Sequence, residues 1–314
     1  MRGGFLKTEK DGHGIETDGG FVGNFFESLP EGFVANALAL TSPMDVCRLS
    51  LVCSVFRSAA EWDAVWEKFL PPEYQKISTE AEGGGGSASS GSKKEMYLRL
   101  CDHPVIIDDG NKSFSLDKRT GKKCYMLAPR DLSIIWGGTP RYWRWISMPE
   151  SRFPEVAELR TVCWLEVRGK INTSILSTNI LYASYLVYKP SSDIYGFDTQ
   201  PVEVSIRVNG GECKTKSVFL DPEASRLDNN VGPGRRMGIF NRLRWMGTQS
   251  STGSAARLNG PRMRVDGWLE IELGEYFNER EEEGELEMSI MEVKGGNWKG
   301  GIVIQGIEIR PKGF

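Results

Sequence analysis

Val202-Glu203-Val204-Ser205-Ile206-Arg207-Val208 alternates apolar and polar residues at every step. A period of two puts the valines and the isoleucine on one face and the polar residues on the other, the signature of a half-buried antiparallel strand. The pattern returns, with minor breaks, in Trp268–Leu273, Glu285–Val293 and Ile302–Ile309. Thr161–Val167, Tyr182–Tyr188, Lys123–Leu127 and Leu132–Trp136 read as further strands. Short strands separated by Gly and Pro predict an antiparallel sandwich or barrel. No strand–helix alternation runs through this part, so a doubly wound α/β fold is excluded.

The N-terminal part reads differently. Residues 1–20 are rich in Gly and charge and are expected to form a flexible tail. Residues 21–74 read as a small helical unit. Ser42-Pro43 marks a helix start, with Ser as N-cap, Pro in the first turn and Asp45 close behind. Val46, Leu49, Val52, Cys53 and Phe56 then recur at helical steps and predict one continuous helix face. Trp62, Val65, Trp66 and Phe69 belong to a second short helix, stopped by Pro71-Pro72. Residues 75–92 read as a linker, because the run Gly83–Ser92 contains nothing that packs a core. The chain is thus expected to be α plus β with more than one domain: a helical unit, a linker, and a β-sandwich over 93–314.

Composition narrows the chemistry. The chain has 314 residues, 39 Lys and Arg against 42 Asp and Glu, and a net charge of −3. Such a balance argues against a nucleic-acid partner. The longest apolar stretch, Phe33–Leu40, is far shorter than a membrane span, so no membrane partner is expected. Two histidines, His13 and His103, leave little room for a zinc site or a Ser-His-Asp triad. Six cysteines without C-x-x-C spacing read as reduced thiols. Gly83–Gly86 lacks the Lys-Ser/Thr of a phosphate loop. Asp108-Asp109 and Glu281–Glu283 read as solvated acids rather than a glycosidase pair. No metal, cofactor or catalytic set is expected. Between Arg226 and Arg264 lie eight arginines and one acid, Asp228. This inserted basic loop reads as a solvated segment, with Glu279–Glu283 as its electrostatic partner, or as a nuclear-import or polyanion patch.

The most unusual stretch is Trp136-Gly137-Gly138-Thr139-Pro140-Arg141-Tyr142-Trp143-Arg144-Trp145. Aromatics on a loop can stack on the C–H face of a sugar, and the flanking arginines can donate to hydroxyls. The same rings can equally fill the sandwich core.

Two resemblances add to this reading. The Leu29-Pro30-Glu31-Gly32-Phe33-Val34 opening, the Pro43-Met44-Asp45-Val46 helix start, Leu49-Ser50-Leu51-Val52-Cys53 and Trp62–Trp66 together resemble an F-box. That resemblance implies docking on the Skp adaptor of a cullin-RING ubiquitin ligase, with Leu29, Pro30, Phe33, Val34, Leu49, Val52 and Trp66 as contact candidates. A unit of this size with so many apolar positions also lacks the core to stand alone. Residues 93–314 resemble the plant phloem protein 2 family of Nictaba-like lectins. The resemblance is carried by Ala128–Trp136, Arg141–Trp145, Val156–Arg160, Asp266–Ile271, Gly284–Met288 and Gly301–Ile307. It implies a jelly-roll-like β-sandwich lectin domain that binds N-glycan or N-acetylglucosamine-type sugars. It further implies Trp136, Trp143, Glu285 and Glu292 as carbohydrate-binding residues. The combined expectation is a non-catalytic substrate receptor of a Skp-cullin-F-box ligase in nucleus and cytoplasm, capturing a glycan or glycoprotein target. The alternatives are an F-box adaptor whose sandwich reads a protein surface without sugar, and a stress-related lectin.

Overall fold

The computed structural model describes residues 29–81, 91–198, 200–222, 260–279 and 283–313. The expected tail over 1–20, the run 82–90 and most of the basic loop lie outside them.

The helical unit is built from α1 (Glu31–Leu38), α2 (Pro43–Leu49), α3 (Ser54–Ala59), α4 (Asp63–Glu67) and α5 (Tyr74–Ala81). Helices this short are not stable by themselves. A shared core holds them, with Val34, Leu38, Val46, Ala59, Val65 and Trp66 all buried. Ser42 caps α2 as expected: its Oγ accepts from the Asp45 N–H at 3.1 Å, with Pro43 in the first turn. The predicted continuous face does not survive. Ser50 Oγ donates back to the Cys47 carbonyl at 2.7 Å, Cys53 turns extended, and the chain restarts as α3.

Residues 75–92 are expected to be linker only, yet α5 runs through 75–81 and buries Tyr74 and Ile77. After 82–90 comes α6 (Lys93–Asp102), opened by a capping box between Ser92 and Glu95. It packs straight back on the helical unit. The Tyr97 ring lies 5.2 Å from Trp66 and 6.3 Å from Phe69, and Asp63 accepts from the Lys93 backbone N–H at 2.8 Å. The turn after β2 (Lys112–Leu116) also docks on α2, where the Met44 N–H donates to the Arg119 carbonyl at 3.3 Å. Gly121 completes the fit: it sits at φ +71°, and a Cβ there would lie 3.3 Å from Pro43 Cγ. A Glu73–Lys123 ion pair at 2.5 Å closes the seam. Buried side chains from Val34 through to Ile309 consequently form one hydrophobic cluster. The Gly/Ser-rich run joins two helices of one packed body and does not separate the helical unit from the sandwich.

The sandwich has two antiparallel sheets. The larger runs β1 (Val105–Ile107), β2, β3 (Lys123–Leu127), β14 (Gly300–Pro311), β8 (Ile180–Tyr195), β12 (Leu269–Asn278), β11 (Arg262–Met263). The pair β5 (Trp143–Ile146) and β6 (Val156–Leu159) joins it along β14. The smaller runs β10 (Lys214–Val218), β9 (Val202–Val208), β13 (Glu285–Glu292), β7 (Leu165–Asn172), β4 (Ser133–Ile134). One edge of β14 follows β8; the other is divided between β6 and β3. The switch falls at Gly306, φ +149°, where a Cβ would meet the Leu127 carbonyl oxygen at 2.1 Å.

Period-two strands were read as buried on one face only, and β14 is buried on both. A second small core of Met126, Phe153, Val187, Trp268 and Val303 covers part of its outer face. Charge covers the rest: Glu308 pairs with Arg152, Arg264 and Arg310, and Glu270 with Arg264 and Arg310. Burial pushes the Glu308 carboxyl up, but the three guanidiniums prevail and hold it at about 2. Arg264, at the end of the basic segment, is held by Asp266, Glu270 and Glu308; the expected pairing of the segment with Glu279–Glu283 falls largely outside the described residues.

Candidate ligand-binding and adaptor-docking sites

The aromatic stretch is a tight excursion between β4 and β5. The Ile135 N–H donates to Glu166 O on β7 at 3.1 Å, which anchors the loop to the smaller sheet. Successive turns then reverse the chain: Gly137 N–H to Ile134 O at 3.0 Å, Thr139 N–H to Trp136 O at 2.8 Å, and Trp143 N–H to Thr139 O at 3.0 Å. They hold Trp136 at φ +58°, a left-handed conformation that is rare for a bulky residue. Its indole is 44% exposed and leans on Tyr142, with ring centroids 5.3 Å apart. Trp145 braces the loop by donating from Nε1 to Gly137 O at 2.9 Å, under the Arg130 guanidinium.

Trp143 does not join Trp136. It is 2% exposed, and its indole N–H is buried without an acceptor. Pairing of β5 with β6, Trp143 opposite Leu159, turns the ring into the core and sends Arg144 outward to Glu158. The expected two-tryptophan platform is therefore one surface ring and one core ring.

The carboxylate pair divides as well. Glu285 and Glu292 stand at opposite ends of β13, roughly 23 Å apart at ~3.3 Å per residue, and their odd spacing places them on opposite faces. Glu285 is exposed and ion-paired to Lys170 at 2.7 Å. Glu292 is buried against Lys299; its Oε1 accepts from the Gly295 N–H at 2.9 Å. Lys299 Nζ also donates to Asn297 O at 2.7 Å and Cys163 O at 3.2 Å, so the pair ties down the loops before β7 and β14. Glu292 lies near the aromatic loop, since it pairs across to Leu165 beside Glu166. It offers no accessible oxygen there.

Sequence reasoning missed three further aromatics at this end. Trp164, Tyr195 and Trp298 are all exposed. Trp164 Nε1 donates to Glu166 Oε2 at 3.0 Å, Tyr195 OH bonds Thr161 Oγ1 at 2.6 Å, and Tyr195 stands opposite Gly300, two residues after Trp298. Trp164 and Trp298 sit in irregular segments and Tyr195 at the very end of β8, so no periodicity singles them out.

The helical unit occupies the other end, beside Lys123 and Pro311. The length of β14 separates the two, about 36 Å over eleven steps at ~3.3 Å. Of the residues expected to meet an adaptor, Pro30, Phe33 (63%) and Val52 (65%) are exposed. Leu29 and Leu49 are half-buried against the core. Val34 and Trp66 are core residues: α1 turns Val34, Ala35 and Leu38 inward, and Trp66 Nε1 donates to Ala60 O at 2.7 Å. Leu40, Leu51 and Trp62, absent from the expected set, are exposed. With Phe33 and Val52, that leaves five large apolar side chains of the helical unit facing solvent.

Comparison with known proteins identifies the family of each part of the chain. The family model for phloem protein 2 matches residues 122–311, and that for the F-box domain matches residues 26–68. F-box protein PP2-B1 of Arabidopsis thaliana is 42% identical over 310 residues, covering 91% of this chain and 90% of the relative. F-box protein PP2-B15 of the same plant is 44% identical over 287 residues, covering 90% and 96%. F-box protein VBF, also from Arabidopsis thaliana, is 41% identical over 285 residues, covering 90% and 99%. Among solved structures, a Podospora anserina β-(1,4)-mannanase with a CBM35 module aligns at a TM-score of 0.30 and 9% identity, over 61% of this chain and 28% of that one.

Proposed function

Since the chain belongs to the F-box proteins that carry a phloem protein 2 domain, we propose that it is a non-catalytic substrate receptor of a Skp-cullin-F-box ubiquitin ligase. The observation that carries this reading is the polarity of the molecule. An exposed apolar helical surface lies at one end of a continuous core, and an aromatic loop end lies at the other. Burying Phe33, Leu40, Leu51, Val52 and Trp62 against a partner helix of the Skp adaptor supplies the association energy. The shared core transmits that placement as a rigid body, so a target held at the far end is presented in a defined direction.

The captured group is an N-glycan or N-acetylglucosamine-type sugar. Trp136 and Tyr142 offer the apolar ring faces, and Arg141 supplies a donor beside them. A second reading, capture of a protein surface without sugar, is favoured by the burial of Trp143 and Glu292. Titration of the full-length chain with chitotriose separates the two: saturable heat that Trp136→Ala weakens supports the lectin, and no heat from a folded protein leaves the protein-surface reading. Residence in nucleus and cytoplasm goes with the ligase role, and imaging of the tagged chain tests it.

A further inference from the structure

The outward face of the smaller sheet carries a polar depression that neither the aromatic loop nor the helical surface uses. Strand register explains it. Ser205 stands opposite Ser289 on one side and Thr215 on the other, and Ser289 stands opposite Arg168. One step up, Arg207 faces Glu287; one step down, Glu203 faces Met291. Two small side chains at the centre of a face of long ones leave a hollow of about 140 Å³, closed at the β10 edge by Thr215 and Cys213. Its floor is the Ser205–Ser289 hydroxyl pair, 2.7 Å apart.

The walls are unevenly satisfied. Arg168 is held by two acids, Glu166 at 2.8 Å and Glu287 at 3.0 Å. Glu203 is held by Lys294 at 2.8 Å. Glu287 and Glu203 each meet their cation through Oε1. Among the described residues Arg207 has no carboxylate partner although Glu287 is directly across from it, and its Nε–H is buried without an acceptor. A buried orphan donor of this kind is costly unless something supplies an acceptor. The hollow thus lacks an acceptor at the Arg207 Nε–H and offers carboxylate acceptors at Glu203 and Glu287.

We propose that this hollow is a binding subsite for one neutral polyhydroxylated ring, a single pyranose of a glycan. A hydroxyl is the group that can accept from Arg207 and donate to a carboxylate with the same oxygen. A small anion would satisfy Arg207 but would meet Glu203 and Glu287 at close range. The volume equals four to five waters at ~30 Å³ each, and lies below the ~300–1,000 Å³ of drug-sized sites, so one ring is the limit. Met291 provides the apolar patch for the C–H face. The inference rests on the reading of the sandwich as a sugar binder and places a second contact on the sheet face, apart from Trp136.

Cys213 reports occupancy. It is exposed at the rim, and hydrogen bonds from Ser205, Thr215 and Arg207 pull its thiol below the usual range, which favours alkylation. The experiment follows iodoacetamide labelling of Cys213 in the full-length chain by peptide mass spectrometry. The probes are N-acetylglucosamine, methyl α-mannoside, methyl β-galactoside and inorganic phosphate, with parallel calorimetry. The expected result is that at least one sugar slows labelling about threefold or more at saturation. Trp136→Ala retains that protection, Ser289→Val abolishes it by filling the floor, and Arg207→Met weakens the calorimetric affinity about tenfold. Thermal melting of each variant guards against loss of fold. Sugar heat that depends on Trp136 while Cys213 labels at an unchanged rate overturns the subsite and leaves the lectin reading standing. Neither heat nor protection with any sugar overturns both. Protection by phosphate alone overturns the neutral ring.

Discussion

Trp136 and Trp143 stand seven residues apart, yet truncating them should have opposite consequences. Trp143→Ala removes a ring that is 2% exposed and leaves a cavity between β5 and the core. Such a change costs about 3–5 kcal/mol. In a chain of this size each kcal/mol lowers Tm by about 2–4 °C, so the melt should fall by about 6–20 °C. Trp136→Ala removes a ring that is 44% exposed and packs mainly on Tyr142. Half of a large side chain's burial is about 1–2 kcal/mol, and the melt should fall by only about 2–8 °C. The backbone adds a finer test. At φ +58° any residue with a Cβ is strained by about 1–2 kcal/mol, which glycine escapes. Trp136→Gly should therefore melt at or above Trp136→Ala despite losing more side chain. The assay is thermal unfolding of the full-length chain by circular dichroism, with chitotriose titration of each variant that folds. Equal melting losses for Trp136→Ala and Trp143→Ala would refute the division into surface and core rings. A Trp136→Gly melt well below that of Trp136→Ala would refute the strain.

Other consequences follow from buried charge and from the helical surface. Glu308 is held at about 2 against an ordinary 4.5, so its ionised form stabilises the fold above pH 4.5, and that contribution is lost as pH falls through 2. The difference amounts to about 3 kcal/mol. Glu308→Gln should accordingly be most destabilising near neutral pH, with its gap to wild type narrowing toward pH 2 in urea titrations; a gap constant with pH would contradict the network. Lys299→Met leaves Glu292 buried without its cation and should cost about 3–5 kcal/mol by urea unfolding, whereas Lys294→Met, at an exposed pair, should cost less than about 1 kcal/mol. Val34→Ala should lower stability by about 1–3 kcal/mol, since its side chain is internal, while Phe33→Asp should leave melting nearly unchanged.

How much of this was legible in the sequence depends on whether a feature is local. The alternation of Val202–Val208 became β9 residue for residue, and Lys123–Leu127 became β3. The Ser42 cap was equally visible, because capping is decided within four residues. Features set by distant partners were hidden. The inward turn of Trp143 depends on β6 pairing, and the double burial of β14 depends on Arg152 and Arg264 arriving from elsewhere. The helices α5 and α6 border a Gly/Ser run whose composition overshadows them, although Ser92 and Glu95 already spelled a capping box. The separation of Glu285 from Glu292 was readable: an odd spacing along one strand puts two residues on opposite faces. Val34 and Trp66 fall among the expected contact residues because motif membership does not say which face of a short helix is internal.

Placement of the helical unit on the sandwich also decides how the receptor claim is best tested. Removing residues 21–74 would strip Trp66 and Phe69 from Tyr97 and expose core, so surface substitutions are the cleaner perturbation. The most direct measurement is copurification of a co-expressed Skp adaptor with the full-length chain and with its Phe33→Asp, Val52→Asp double variant. The account predicts a stoichiometric complex with the wild-type chain and none with the variant, at unchanged melting temperature. Equal recovery of the adaptor with both chains, or with neither, would contradict it.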